Sequence, residues 1–262
     1  MCGIAGWIAR PERVLSHDTL RSMLNAIAHR GPDDEGIRQF RCNSTGHDVF
    51  LGHRRLAIID PDGARQPMCD DSAGLAVTFN GEIYNFRELR DELHALGYGF
   101  VRDSDTEVLL RAYQHWQCDV VDHLRGMFAF AIWDARKQRL FLARDRFGEK
   151  PLFLYENANG LFFASEIKAL LRIPGVSAAV NREAVWDYLA YRYVPGPRTL
   201  FNGIRKLSPG TAATWEHGKL SETRYWSPPD RNPGFTPRQE WMPHGTRPLP
   251  TASPRARWTC LP

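Results

Sequence analysis

Met1-Cys2-Gly3-Ile4-Ala5-Gly6-Trp7-Ile8-Ala9 reads as a buried strand, weighted by Ile4, Trp7 and Ile8, with a cysteine at its start. Arg10-Pro11 ends the run. It is too short for a signal peptide and far below the ~20 residues of a membrane span. Position 2 has chemical consequences. Trimming of the initiator methionine, usual when the second residue is small, would leave Cys2 with a free α-amino group. A thiol of ordinary pKa about 8.5 would then share one residue with an amine of about 7.7–8.0, a base near neutrality. N-terminal threonine enzymes use the same logic. A buried free cysteine at a strand start is the plainer reading, and Cys2 alone does not separate the two.

Outward from this strand, Ser16 is a helix cap for an apolar face of Leu20, Met23, Leu24 and Ile27. His29-Arg30-Gly31-Pro32-Asp33-Asp34-Glu35-Gly36 reads as a polar loop. Strand patterns follow at 49–51, 56–59 and 75–79, helical ones at 86–96 and 106–116, then short strands at 127–133, 139–143, 152–155 and 161–164. Residues 166–171 and 182–191 read as helices, the second capped by Asn181. The segments 211–215 and 219–225 read as a hairpin around His217-Gly218. Strands in the middle and helices in two groups predict packed sheets with helical layers outside.

The chain has 262 residues with 43% hydrophobic and 24% charged residues, an ordinary globular balance. Its net charge of +4 is unevenly placed. Arg231, Arg238, Arg247, Arg255 and Arg257 against Asp230 and Glu240 put most of it in the tail, so the body is near neutral. Charge therefore argues against nucleic acid or an anionic membrane as partner. Cys2, Cys42, Cys69, Cys118 and Cys260 form no CxxC pair and are odd in number, which disfavours a metal site or a disulfide framework and suits a reducing cytoplasm. Residues 227–262 hold nine of the 18 prolines and no sustained periodicity, and are expected to be a disordered or non-native tail.

Three further places could carry chemistry. Asn80-Gly81-Glu82 follows a strand pattern, and Asn-Gly is a favoured two-residue hairpin turn. The same residues could aim an amide and a backbone N–H at one point, as an oxyanion hole requires. Arg55, in Leu51-Gly52-His53-Arg54-Arg55-Leu56-Ala57-Ile58-Ile59-Asp60, could fork onto a carboxylate or pair with a surface neighbour. Ser104-Asp105-Thr106-Glu107 fits a capping box, and Asp105 could alternatively receive a substrate ammonium. A thiol, an oxyanion hole, a cation and an anion together suit an amino acid with a side-chain acyl group, and glutamine fits.

These residues occur in an order that resembles the class II glutamine amidotransferases. The matching runs are Met1–Gly6, His29–Asp33, Leu51–Asp60, Phe79-Asn80-Gly81-Glu82-Ile83-Tyr84-Asn85 and Ser104–Glu107. Ala143–Leu152, Ala164–Leu170 and Tyr193–Thr199 match as well, and the Arg-Leu and Asn-Gly-Glu-Ile-Tyr-Asn forms are similar to the asparagine synthetase branch. The resemblance covers about residues 1–226. It implies an α+β N-terminal nucleophile hydrolase fold, a four-layer αββα sandwich of two antiparallel sheets. The implied domains are a glutaminase at 1–210, a last hairpin or start of a linker at 211–226, and the tail at 227–262. In the roles it implies, Cys2 is the nucleophile, Asn80 and Gly81 form the oxyanion hole, and Arg55 holds the glutamine α-carboxylate. Leu56, Ala57, Ile58 and Ile59 line the pocket, and Glu82 with Asp105 takes the α-amino group.

The resemblance also implies a partner. The family's synthetase domain, with a Ser-Gly-Gly-x-Asp-Ser loop for ATP, is not found after Trp226. ATP and Mg2+ would belong to that domain, so no cofactor or metal is expected here. Glutamine is the expected small-molecule partner and a synthetase-type ammonia acceptor the expected protein partner, with a homodimer left open. A catalytically idle fragment serving as a dimerisation or interaction module is the alternative.

Overall fold

The computed structural model describes residues 1–12, 15–56 and 65–229. Its strands are β1 (Gly3–Ala9), β2 (Asp34–Cys42), β3 (His47–Arg55), β4 (Met68–Asp70), β5 (Leu75–Ile83) and β6 (Gly126–Asp134). They continue with β7 (Arg139–Arg144), β8 (Phe153–Asn157), β9 (Gly160–Ala164), β10 (Ile204–Lys206), β11 (Thr211–Glu216) and β12 (Lys219–Arg224). The helices are α1 (His17–Ala26), α2 (Phe86–Ala95), α3 (Asp105–Trp116), α4 (Val120–His123), α5 (Ile167–Leu170) and α6 (Arg182–Tyr191). One sheet runs β10-β8-β9-β1-β3-β2 and the other β12-β11-β7-β6-β5-β4. The paired strands are antiparallel throughout.

Side-chain alternation along the strands builds the layers. In β1, Ile4 and Ile8 face the second sheet while Ala5, Trp7 and Ala9 pack against α1 and α5. In β6, Ala129, Ala131 and Trp133 meet the first sheet, and Phe128, Phe130 and Ile132 pack with Leu89 and Leu93 of α2 and Val108 and Leu109 of α3. Three apolar layers thus separate helix, sheet, sheet and helix. This is the αββα sandwich that the resemblance implied. Met1–Ser227 forms one compact unit.

Several local expectations change. Asn80-Gly81 is not a turn: β5 runs straight through it, with Asn80 opposite Ala129 and Gly81 opposite Phe128. β6 is long enough to pair with the whole of β5, and that ladder outweighs the local turn preference. The expected loop at 29–36 ends early, because Asp34 opens the edge strand β2, which pairs along its length with β3. Its half-exposed, polar residues carry no alternation to read. The short strands β4 and β10 gave no sequence signal either. β3 ends at Arg55, so Leu56, the first residue of the strand expected at 56–59, lies outside any strand. Ala57, Ile58 and Ile59 lie outside the described residues, as does the tail from residue 230.

Other local readings hold. Asn181 caps α6 by accepting from the Ala184 N–H at 3.2 Å. His217 and Gly218, with φ of 52° and 78°, form the two-residue turn between β11 and β12. Among the described residues, no helix is long and apolar enough to cross a membrane.

Candidate active site

β1 lies between β3 and β9, so the residue just ahead of it is held from both sides. The register Gly3↔Arg54 brings Cys2 alongside the end of β3. Its thiol bonds both backbone groups of one residue, donating to the Leu56 carbonyl at 3.7 Å and accepting from the Leu56 N–H at 3.4 Å. Arg30 Nε donates to the Cys2 carbonyl at 2.9 Å, and Arg30 Nη1 donates to Glu166 Oε1 at 3.0 Å. Two residues further on, the Ile4 N–H donates to Ser165 Oγ at 2.9 Å and the Ser165 N–H to the Ile4 carbonyl at 2.8 Å. The backbone that follows the thiol is therefore clamped.

Burial pushes the Cys2 thiol above its ordinary range, and Asp105 adds to the rise. The Leu56 N–H, the chain's amino terminus and Arg55 pull the other way without winning. With Met1 in place Cys2 is a protonated thiol at neutral pH, so a nucleophilic role needs a base.

β5 supplies the opposite wall. Asn80 is 1% exposed, and among the described residues its Nδ2 has no hydrogen-bond partner. A buried amide donor left unpaired is uncommon and costly, so it asks for an explanation. At Gly81 the strands crowd: a Cβ there would lie 2.2 Å from the Met127 carbonyl oxygen of β6. Only glycine fits this backbone approach.

α3 begins at the pocket edge. Ser104 caps it by accepting from the Glu107 N–H at 3.3 Å, but Glu107 bonds the N–H groups of Val101 and Arg102 and does not close the expected reciprocal box. Asp105 then points back to β5, where its Oδ2 accepts from the Ile83 N–H at 3.2 Å. Burial pushes the Asp105 carboxyl up to about 6, with the Glu82 charge adding to it and the Ile83 and Thr106 N–H groups opposing. Arg55 is 6% exposed.

The structure brings these groups together. Cys2, Arg55, Leu56, Asn80, Gly81, Glu82 and Asp105 line one cavity of about 90 Å³, suited to a small ligand and far below the size of a nucleotide site. Met1, Gln66, Thr106 and Lys150 also line it, and the sequence reading gave none of the four a part in the pocket. Gln66 Oε1 accepts from the Phe79 N–H at 2.6 Å, and its Nε2 donates to Thr106 Oγ1 at 3.4 Å, tying β5 to α3 beneath Asn80. Arg30 and Glu166 were read only as parts of matching runs. Burial opposes ionisation of Glu166, yet Arg30, Lys168 and His29 hold its carboxyl below its ordinary value.

His53 was likewise given no role. It is fully buried and kept neutral, its pKa lowered by burial to about 4. Its Nε2 donates to the Phe79 carbonyl at 3.1 Å, and Thr78 Oγ1 donates to the Gly52 carbonyl at 3.0 Å. Both bonds join β3 to β5, fixing the two walls relative to one another. The sequence signal for such groups was a polar residue inside an apolar strand run. Among the described residues there is no cluster of three or more His, Cys, Asp or Glu placed to hold a metal ion.

Residues 1–226 match the family model described as a glutamine amidotransferase domain. The glutamine-hydrolyzing asparagine synthetase 3 of Bacillus subtilis strain 168 is 42% identical over 231 residues, covering 87% of this chain and 37% of that protein. Asparagine synthetase 1 of the same strain, also glutamine-hydrolyzing, is 40% identical over 219 residues, covering 82% of this chain and 33% of that protein. This chain thus spans about a third of the length of these relatives. The glutamine phosphoribosylpyrophosphate amidotransferase of B. subtilis superposes with a TM-score of 0.61 at 18% identity, over 86% of this chain and 49% of that one, a likeness of fold. A family match over nearly all the described residues and the two-sheet sandwich place this chain in the glutamine amidotransferase domain family, in its class II form.

Proposed function

We propose that this domain hydrolyses glutamine to glutamate and ammonia through a glutamyl thioester on Cys2. The observation that carries the reading is the unpaired Asn80 amide, buried in the wall of the cavity that Cys2 also lines. A preorganised donor without a partner is what a transient oxyanion requires.

After Met1 is removed, the Cys2 α-amine takes the thiol proton as sulfur attacks the side-chain amide carbon. The oxyanion accepts hydrogen bonds from the Asn80 side chain and the Gly81 N–H. Collapse breaks the C–N bond, the α-ammonium protonates the leaving nitrogen, and ammonia departs. Water, deprotonated by the same amine, cleaves the thioester to glutamate and restores the thiol. Arg55 holds the α-carboxylate, while Asp105 and Glu82 hold the α-ammonium. Leu56 pins the resting thiol. None of these steps uses a nucleotide or a metal. The ammonia acceptor would be a synthetase-type domain or subunit, as the names of the relatives suggest.

The test is glutamate release by Met1-free protein, confirmed by intact mass. Cys2→Ala should abolish it, and a glutamine-analogue electrophile should label Cys2 and spare Cys42, Cys69 and Cys118. Activity surviving in Cys2→Ala, or equal labelling of several cysteines, refutes the reading.

A further inference from the structure

Lys150 lines the cavity, yet the hydrolysis described above does not use it. Its position is deliberately constrained by the turn after β7. The Asp145 carboxylate, 1% exposed, accepts from the N–H groups of Phe147, Glu149 and Lys150 at 3.0, 2.9 and 3.0 Å and from that of Phe128 at 3.3 Å. Arg144 donates from Nε to the Lys150 carbonyl at 2.8 Å, and through its other nitrogens to the carbonyls of Leu207 and Gly148. The N–H and the carbonyl of Lys150 are therefore both held, the first by buried Asp145 and the second by part-buried Arg144.

Its side chain is 7% exposed and reaches the N-terminus, where Nζ donates to Met1 Sδ at 3.6 Å. A thioether is a weak acceptor. Among the described residues no carboxylate lies within 4.0 Å of the ammonium. Burying a cation without a counter-ion is unfavourable, so its field must fall on something nearby. Met1 Sδ is only a few covalent bonds from the Cys2 nitrogen. Removal of Met1 takes away the thioether and turns that nitrogen into an amine.

We propose that Lys150 is a positioning residue for the base, its ammonium holding the Cys2 α-amine of the processed chain in the free-base form at neutral pH. A neighbouring cation disfavours a second positive charge, the device by which an amine is kept basic and unprotonated. The proposal rests on the reading of that amine as the base. Other charged groups line the same cavity. Arg55 from β3 acts in the same direction as Lys150. Glu82 of β5 and Asp105 at the start of α3 act against it. Arg30, bonded to the Cys2 carbonyl, has its charge matched by Glu166.

The experiment uses Met1-free protein labelled with 15N-cysteine. The α-amine is titrated by NMR, without turnover, in wild type, Lys150→Met and Lys150→Arg, and the pH profile of kcat/KM for glutamine is taken on the same samples. In Lys150→Met the amine should titrate about one unit higher, from a unit charge at close range in a protein interior. The acid limb of kcat/KM should move with it, costing about tenfold in rate on that limb while kcat at high pH stays near wild type. Lys150→Arg should restore both. An amine that titrates unchanged in Lys150→Met overturns the proposal. So does a rise in KM alone with an unmoved profile, which would make Lys150 a substrate-binding group. A shifted amine whose rate profile fails to follow supports the field of Lys150 and overturns the amine as base, so the two failures are told apart.

Discussion

α3 and α6 are helices of similar length with opposite relations to the molecule. α3 buries eight of its 12 residues, including the polar first turn Asp105-Thr106-Glu107. In α6 only Ala184 is buried. Trp186 is 73% exposed and Leu189 65%, with Tyr188 and Tyr191 also more than half exposed. Polar residues are inside in one helix, and aromatic ones outside in the other. Both invert the usual preference, and such inversions mark places where something other than the domain's own stability set the residue. At α3 the gain is an acid aimed into the pocket. At α6 it is a set of exposed large side chains, Trp186, Tyr188, Leu189 and Tyr191, on one helix.

The largest effect expected from breaking this comparison lies next to α3. Asn80→Ala should lower kcat by about 10²–10³-fold while KM changes little, because the donor is used only when the oxyanion forms. A change in melting temperature with kcat preserved would reduce Asn80 to a structural strand residue.

Asp105 comes next, with opposite effects on binding and stability. Its folded carboxyl titrates at about 6, above an unfolded value near 3.9. Between these values the folded chain holds the proton more tightly, so stability falls as pH rises from about 4 to 6, and the penalty is complete above that. Asp105→Asn should therefore melt above wild type at pH 8, with the gap closing below pH 4. The same variant should raise KM for glutamine by at least tenfold with a smaller effect on kcat. In wild type, KM should climb as pH falls through about 6, where the carboxyl loses the charge that attracts an ammonium. A pH-independent KM would remove Asp105 from substrate binding.

The smallest effect belongs to α6. Replacing Trp186 and Leu189 together by Ser should change unfolding free energy by less than about 0.5 kcal/mol, since neither side chain is packed. It should lower self-association measured by sedimentation at high protein concentration. A large loss of stability would mean that the face is packed in solution.

Much of the site was legible because its chemistry is local in the chain. Cys2 stands beside an apolar strand run, Asn80 and Gly81 are adjacent, and Asp105 follows a helix cap. Arg30, Gln66, His53 and Lys150 were missed for one reason: each acts on a residue far away in sequence. Arg30 meets Glu166 across 136 positions and Lys150 meets Met1 across 149. Nothing in the neighbourhood of an isolated Arg, Gln, His or Lys announces such a partner.

By itself the sequence determined the features that depend on near neighbours. These are the apolar run that makes β1 a buried strand, the Ser104 and Asn181 caps, the His217-Gly218 turn, and the set of residue types that suits a glutamine. Tertiary structure alone decided that Asn80-Gly81 stays extended, because β6 runs alongside and offers a complete ladder in place of a turn. It also decided that α3 is covered and α6 bare, and that a lysine from the turn after β7 stands over the N-terminus. Backbone propensity and side-chain period act over a few residues, whereas a pocket is made where sheet register and loop anchoring bring distant segments together.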